Sequence, residues 1–426
     1  MGSKKKIAQP LIAISAGFLL AIVGYTVHAQ EAAKTGRPAA GFNIPQSETP
    51  WSWDVVAMDD AAPTKAYATP KQARKILVLC KAAGFVHSSI PLAAATIKEL
   101  GDRTRAWSTT ITYDPAEITV QNLQQYDLVF LDSTTGEFLD DPNNEELTTD
   151  RRQALLNFIR SGKGLAGVHA AVDSYHTSPS MGGRGRGRGA EAANGAPAAP
   201  PDPAQRRAAM AAAESFVPTG TWPDYNKMIG GFFKWHWSYP QVVTVKIDDT
   251  KSPLTQMFHG REFVIHDETY TMAQDSYSLK NVHELTSIDY SKMSQEDKDK
   301  EPAASRRTDG DYGLSWIRRE GKGRVFIEVL GHDEHMYEMP VYLEHLLAGT
   351  QYALGDLPAC QTRSAREKGV SEGQRRQVPF CPHRFSPPQK RFLTPFSPLV
   401  IRTGSTHITY YPVIHPSSGR GAVPAA

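Results

Sequence analysis

The chain has 426 residues, enough for one large domain or two ordinary ones, and its 40% hydrophobic and 22% charged content is that of a globular protein with a real core. A formal net charge of +2 gives no electrostatic footprint for nucleic acid, so no nucleic-acid partner is expected. The three cysteines, Cys80, Cys360 and Cys381, have no zinc-knuckle, CxxC or disulfide-framework spacing; Cys80 ends an apolar run and reads as a buried structural thiol.

At the N-terminus Lys4, Lys5 and Lys6 precede an apolar stretch from Ile7 to Val27, and Val27-His28-Ala29 offers a cleavage site before Gln30. Residues 1–29 therefore read as a secretory signal peptide, with an uncleaved membrane anchor as the competing reading; Pro10 and the cleavage site favour removal. Either way the folded part is expected outside the cytoplasm, periplasmic or secreted, and any membrane contact runs through this segment alone. Residues 30–72 lack sustained periodicity and read as a leader with local packing through Trp51 and Trp53.

From Lys75 to Cys80 a short apolar run predicts a strand buried on both faces. Helical spacing follows over 89–100, a second buried strand over Tyr126 to Leu131, a helix over Asp150 to Ser161, and a strand over Leu165 to Val168. Alternating strands and helices predict right-handed crossovers and a mostly parallel sheet. A Gly/Arg/Ala/Pro-rich stretch at about 178–215 interrupts the pattern and reads as a disordered surface insertion. Strand signals return over Val242 to Ile247 and within Gln256 to Glu268. Leu314 to Arg319 and Arg324 to Leu330 predict a hairpin, Tyr342 to Leu354 a closing helix, and 358–426 a disordered tail.

The carboxyl ends of parallel strands border the binding crevice of open α/β sheets. Several of the 14 histidines fall at such ends: His87 after the first strand, His169 directly after Gly167-Val168, and His332 after the run ending at Leu330. His236 lies in the aromatic segment from Phe232 to Trp237, and His266, Asp267 and Glu268 follow another β-like run. Neutral imidazoles with a carboxylate can bind zinc or a similar divalent ion, or act as acid and base without metal. No HExxH or comparable spacing is present. A histidine taken singly is more often a hydrogen-bonded structural group; convergence at one sheet edge is what raises these above that.

Four blocks then stand in order: Gly162 to Ser174 (GKGLAGVHAAVDS), Tyr225 to His236 (YNKMIGGFFKWH), Asp267-Glu268-Thr269-Tyr270, and Trp316 with Gly321 to His332 (GKGRVFIEVLGH). In this order they resemble the trehalose-utilisation (ThuA-like) family over about residues 73–357. The resemblance implies a class I glutamine amidotransferase-like fold, a flavodoxin-like three-layer α/β sandwich with a mostly parallel central sheet. It also implies carbohydrate metabolism, with a disaccharide or keto-sugar as the small-molecule partner. Amidotransferases of this fold carry a nucleophilic cysteine at a sharp strand-to-helix turn. Here that turn, Gly167-Val168-His169-Ala170, has none, so glutamine hydrolysis through a thiolate is not expected.

The resulting expectation is a sugar-processing enzyme with Glu268 as general base and His169 and His332 in the catalytic set. His169, His236 and His332 are the expected metal ligands, and His87, Asp173, Trp235 and Tyr270 the substrate-binding groups. The alternative is a non-catalytic carbohydrate-binding or envelope-complex protein; the sequence allows a homo-oligomer in either case.

Overall fold

A computed structural model describes residues 36–177 and 219–359. The expected signal segment, the Gly/Arg insertion and, but for its first two residues, the expected C-terminal tail lie outside these residues.

The strands are β1 (Gly41–Phe42), β2 (Lys75–Leu79), β3 (Phe85–Val86), β4 (Ser108–Thr112), β5 (Leu128–Asp132), β6 (Gly164–Val168), β7 (Phe233–Ile247), β8 (Phe263–Met272), β9 (His283–Ile288), β10 (Gly313–Glu320) and β11 (Gly323–Glu328). The helices are α1 (Ser52–Ala61), α2 (Ile90–Thr104), α3 (Val120–Leu123), α4 (Glu145–Arg160), α5 (Pro223–Ile229), α6 (Gln295–Lys300) and α7 (Pro340–Leu354).

One nine-stranded sheet runs in the order β4-β2-β5-β6-β11-β10-β9-β7-β8. Its first five strands are parallel. Counted in chain order among themselves they run second, first, third, fourth, fifth, which is the flavodoxin-like order. The remaining four extend the sheet antiparallel. The fold is thus the expected mixed α/β class, with its parallel half flavodoxin-like.

Alternation along each parallel strand divides the core in two. Ile76, Val78, Leu128, Phe130 and Ala166 face one core, which α2 and α7 cover. Leu77, Leu79, Val129, Leu131 and Leu165 face the other, covered by α4 and α5. Strands buried on both faces are apolar at most positions, and this is why their short runs stand out in the sequence.

Several elements depart from the expected boundaries. Helix α4 begins at Glu145 because the Asn144 side chain accepts the Leu147 N–H and two acidic residues occupy the first turn, a polar start with no apolar signal. Strand β4 (STTIT) is a partly exposed edge strand without an apolar run. The segment read as a leader carries β1, paired with β3, and helix α1, whose Asp54 is buried against Arg37 at 2.7 Å. Its signal is faint because Trp53 and Val56 of α1 face solvent. Among the described residues no helix is long and apolar enough to cross a membrane.

Candidate functional site

The carboxyl ends of the parallel strands carry the site. His87 follows β3 and precedes α2, His169 opens the 3-10 turn directly after β6, and His332 lies in the turn after β11. From the antiparallel extension, β8 contributes Glu268 and Tyr270, and β7 contributes His236 directly opposite Tyr270. β7 pairs with β9 only over residues 245–247, so its earlier residues run on paired with β8 alone, and this ribbon comes within reach of strand ends several places away in the sheet.

His169 sits where the amidotransferase-like turn was read. Its backbone is left-handed, with φ of +48°, a strained conformation for a non-glycine residue. Its Nδ1 lies 3.0 Å from the Val329 carbonyl oxygen. A carbonyl only accepts, so Nδ1 carries the proton and Nε2 turns a lone pair inward. Burial, and then the neighbouring His332, push its pKa down to about 3, so the ring is neutral at ordinary pH.

Four groups crowd that single lone pair. His87 Nε2 and His332 Nδ1 each stand 3.2 Å from His169 Nε2, Tyr270 Oη stands at 3.0 Å, and Glu268 Oε1 at 3.8 Å. Glu268 Oε1 is also 3.7 Å from His332 Nδ1. One lone pair cannot satisfy this set by hydrogen bonding, whereas a cation can. Donors bound about 2.0–2.1 Å from one Zn2+ in a tetrahedron stand roughly 3.3 Å apart, close to the separations here. One nitrogen from each of His87, His169 and His332 and one oxygen of Glu268 all lie within 4.8 Å of one another. Three imidazoles and a carboxylate suit Zn2+ and its neighbours in the first transition row.

Burial works to raise the Glu268 carboxyl, yet His236 and then His332 hold it well below the usual carboxylate range. Its second oxygen, Oε2, lies 3.1 Å from His236 Nδ1. For His236 the balance reverses: burial lowers its basicity, and the adjacent Glu268 raises it overall. His87 is pushed well down by burial and by His169 and His332, and its Nδ1 has no hydrogen-bond partner among the described residues.

Of the residues singled out in the sequence, His87, His169, Glu268, Tyr270 and His332 converge. His236, expected as a metal ligand, faces the far oxygen of Glu268, and His87, expected to touch substrate, stands among the four residues whose donor atoms cluster. Trp235 packs edge-on against Trp237 with ring centroids 4.9 Å apart, beside the core rather than in the cluster. Asp173 ion-pairs with His176. Sequence reasoning missed Asp267 as an active part of the site: its carboxylate accepts the Gly331 and Asp333 N–H groups on either side of His332. Its only signal was its place beside Glu268.

Fold and site together define a flavodoxin-like α/β protein with a buried His/Glu cluster able to hold a metal. The family described as trehalose utilisation, ThuA, matches residues 75–214 and 207–353, and the chain belongs to it. Among solved structures it is similar to a ThuA-like protein from Bacteroides uniformis, at 17% identity over 67% of this chain and 92% of that one, with a TM-score of 0.44. A ThuA-like protein from Parabacteroides merdae shows 14% identity over the same shares, with a TM-score of 0.41. A beta-galactosidase from Bacillus circulans shows 7% identity over 67% of this chain and 32% of that one, with a TM-score of 0.33. Comparison with curated proteins gives no match.

Proposed function

We propose that this chain is an exported, metal-dependent enzyme acting on a disaccharide or keto-sugar. The observation that carries the reading is the convergence of one nitrogen each of His87 and His332 and one oxygen of Glu268 on the lone pair of His169 Nε2. Membership of a family linked to trehalose utilisation supports a carbohydrate substrate, and the Lys-rich start with its apolar stretch supports export.

In this reading His87, His169, His332 and Glu268 hold the ion, which when bound supplies Lewis-acid polarisation of a carbonyl or hydroxyl oxygen. The Val329 carbonyl fixes the His169 tautomer and keeps its Nε2 available as a donor atom. Tyr270, whose hydroxyl lies 3.0 Å from His169 Nε2, would orient a substrate oxygen entering the cluster. The Glu268–His236 pair moves the proton: His236 is 35% exposed and can exchange it with solvent. This shifts the general-base role expected for Glu268 alone onto the pair, because one of its oxygens faces the other donors.

The test is elemental analysis of the purified protein, handled without chelator, for the wild type and for His169→Ala combined with His332→Ala. Near-stoichiometric metal that disappears in the double variant is the expected result, followed by turnover of disaccharides and their keto derivatives. A folded wild type without metal overturns the metal-dependent reading; sugar binding without turnover overturns the enzyme reading.

A further inference from the structure

The turn bearing His332 is gripped through its backbone. Leu330 N–H donates to Glu328 Oε1 at 3.0 Å, and Tyr342 donates its hydroxyl to the Leu330 carbonyl at 2.8 Å. Ser89 and Tyr337 both donate to the Gly331 carbonyl, at 3.0 and 3.3 Å. This crowding requires glycine: Gly331 has φ of +116°, and a Cβ there would meet both tyrosine hydroxyls at 2.7 Å. The carbonyl side of the turn is therefore held by three hydroxyls from different elements, two of them on one oxygen.

The two amides that flank His332 depend on one group. Gly331 N–H donates to Asp267 Oδ2 at 2.7 Å and Asp333 N–H to Asp267 Oδ1 at 3.3 Å. These are the amides on either side of His332. Asp267 is fully buried in β8, one residue before Glu268. Burying a carboxyl is costly unless its lone pairs are used. Here they are spent on the turn that delivers one imidazole to the cluster.

We propose that Asp267 is a positioning residue for the cluster: by holding both amides beside His332 it sets that imidazole against His169 and ties its placement to Glu268, the next residue of the same strand. The inference rests on the cluster being the functional centre. Deleting one hydroxyl on the carbonyl side leaves another in place, whereas altering Asp267 frees both amides at once.

The experiment is calorimetric titration of Zn2+ into the metal-free full-length chain for wild type, Asp267→Asn and Tyr337→Phe, with crystal structures of the metal-free forms. Asparagine keeps the volume but sets an amino group against a backbone N–H. Asp267→Asn is expected to weaken Zn2+ binding about tenfold or more, as loss of a group supporting a metal ligand does, and Tyr337→Phe by no more than about twofold. In metal-free Asp267→Asn, His332 is expected to leave hydrogen-bonding distance of His169. Wild-type affinity in Asp267→Asn, or equal losses in both variants, overturns the inference. If the wild type takes up no Zn2+, the metal reading fails and the crystal structures decide the inference: an unmoved His332 overturns it, a displaced one supports it. If Asp267→Asn does not fold, Asp267→Glu, which keeps both acceptors but displaces them by a methylene, is read against the same outcomes.

Discussion

Glu268 Oε2 stands 3.1 Å from His236 Nδ1, while the other oxygen of the same carboxylate faces His169 and His332. One carboxylate thus joins an enclosed group of donors to an imidazole that solvent reaches, and the two histidines His87 and His236 acquire different tasks.

The difference is measurable. His87→Ala removes a donor atom and, like His169→Ala, is expected to abolish metal binding. His236→Ala removes only the support of Glu268 and is expected to weaken binding by about 10–100-fold. Equal effects of the two substitutions on a metal titration would contradict this division of roles.

A second buried network gives a pH prediction. Glu328 lies 3.3 Å from His345 Nε2, and both side chains are buried. His345 Nδ1 lies 2.6 Å from the Leu254 carbonyl and must donate to it, leaving Nε2 as acceptor. Burial raises the Glu328 carboxyl well above its usual range. An acid whose folded pKa is raised supports stability fully below its unfolded value and loses it as pH rises towards the folded value. Glu328→Gln removes that loss, and its amide can still donate to His345. Its melting temperature should therefore exceed that of wild type at neutral pH, with the advantage vanishing as pH falls below about 4.3, the ordinary glutamate pKa. Thermal melts across that range check it; an advantage that grows on acidification would refute it.

Strand-to-helix packing can be tested at Gly164. A Cβ there would lie 2.5 Å from the backbone oxygen of Ala353 in α7 and 2.9 Å from Leu128. Backbone cannot swing aside as a side chain can, so Gly164→Ala should destabilise by about 1–3 kcal/mol, read from the urea midpoint.

The segment before β2 belongs to the fold. Asp54 is 2% exposed and receives Arg37 through two nitrogens. Arg37→Ala leaves a buried carboxylate without its donor, and because Arg37 is itself partly exposed the loss should be about 1–3 kcal/mol. No change in the urea midpoint would mean that this segment packs without contributing.

Legibility in the sequence follows burial. The strands β2, β5 and β6 are apolar at nearly every position, and β11 from Val325 to Ile327, because both faces are covered, so they could be read directly. Strand β4, with its polar edge, and the first turns of α4 could not, because their stability comes from pairing and capping. Within the site, His169 and His332 were readable because the first directly follows such a strand and the second lies in the turn after one. The places of His87 inside the cluster and of His236 behind Glu268 were not, since they depend on which ring the β7–β8 ribbon sets against which oxygen of Glu268.

By itself, the sequence determined the class of sheet, the family and the strand-end positions of three histidines, because these follow from local periodicity and chain order. Only the tertiary structure decided that Glu268 joins those histidines, that Trp235 packs beside the core, and that Asp267 holds the His332 turn. These contacts join residues far apart in the chain, and their geometry is set by sheet twist and register, which no local pattern of residues encodes.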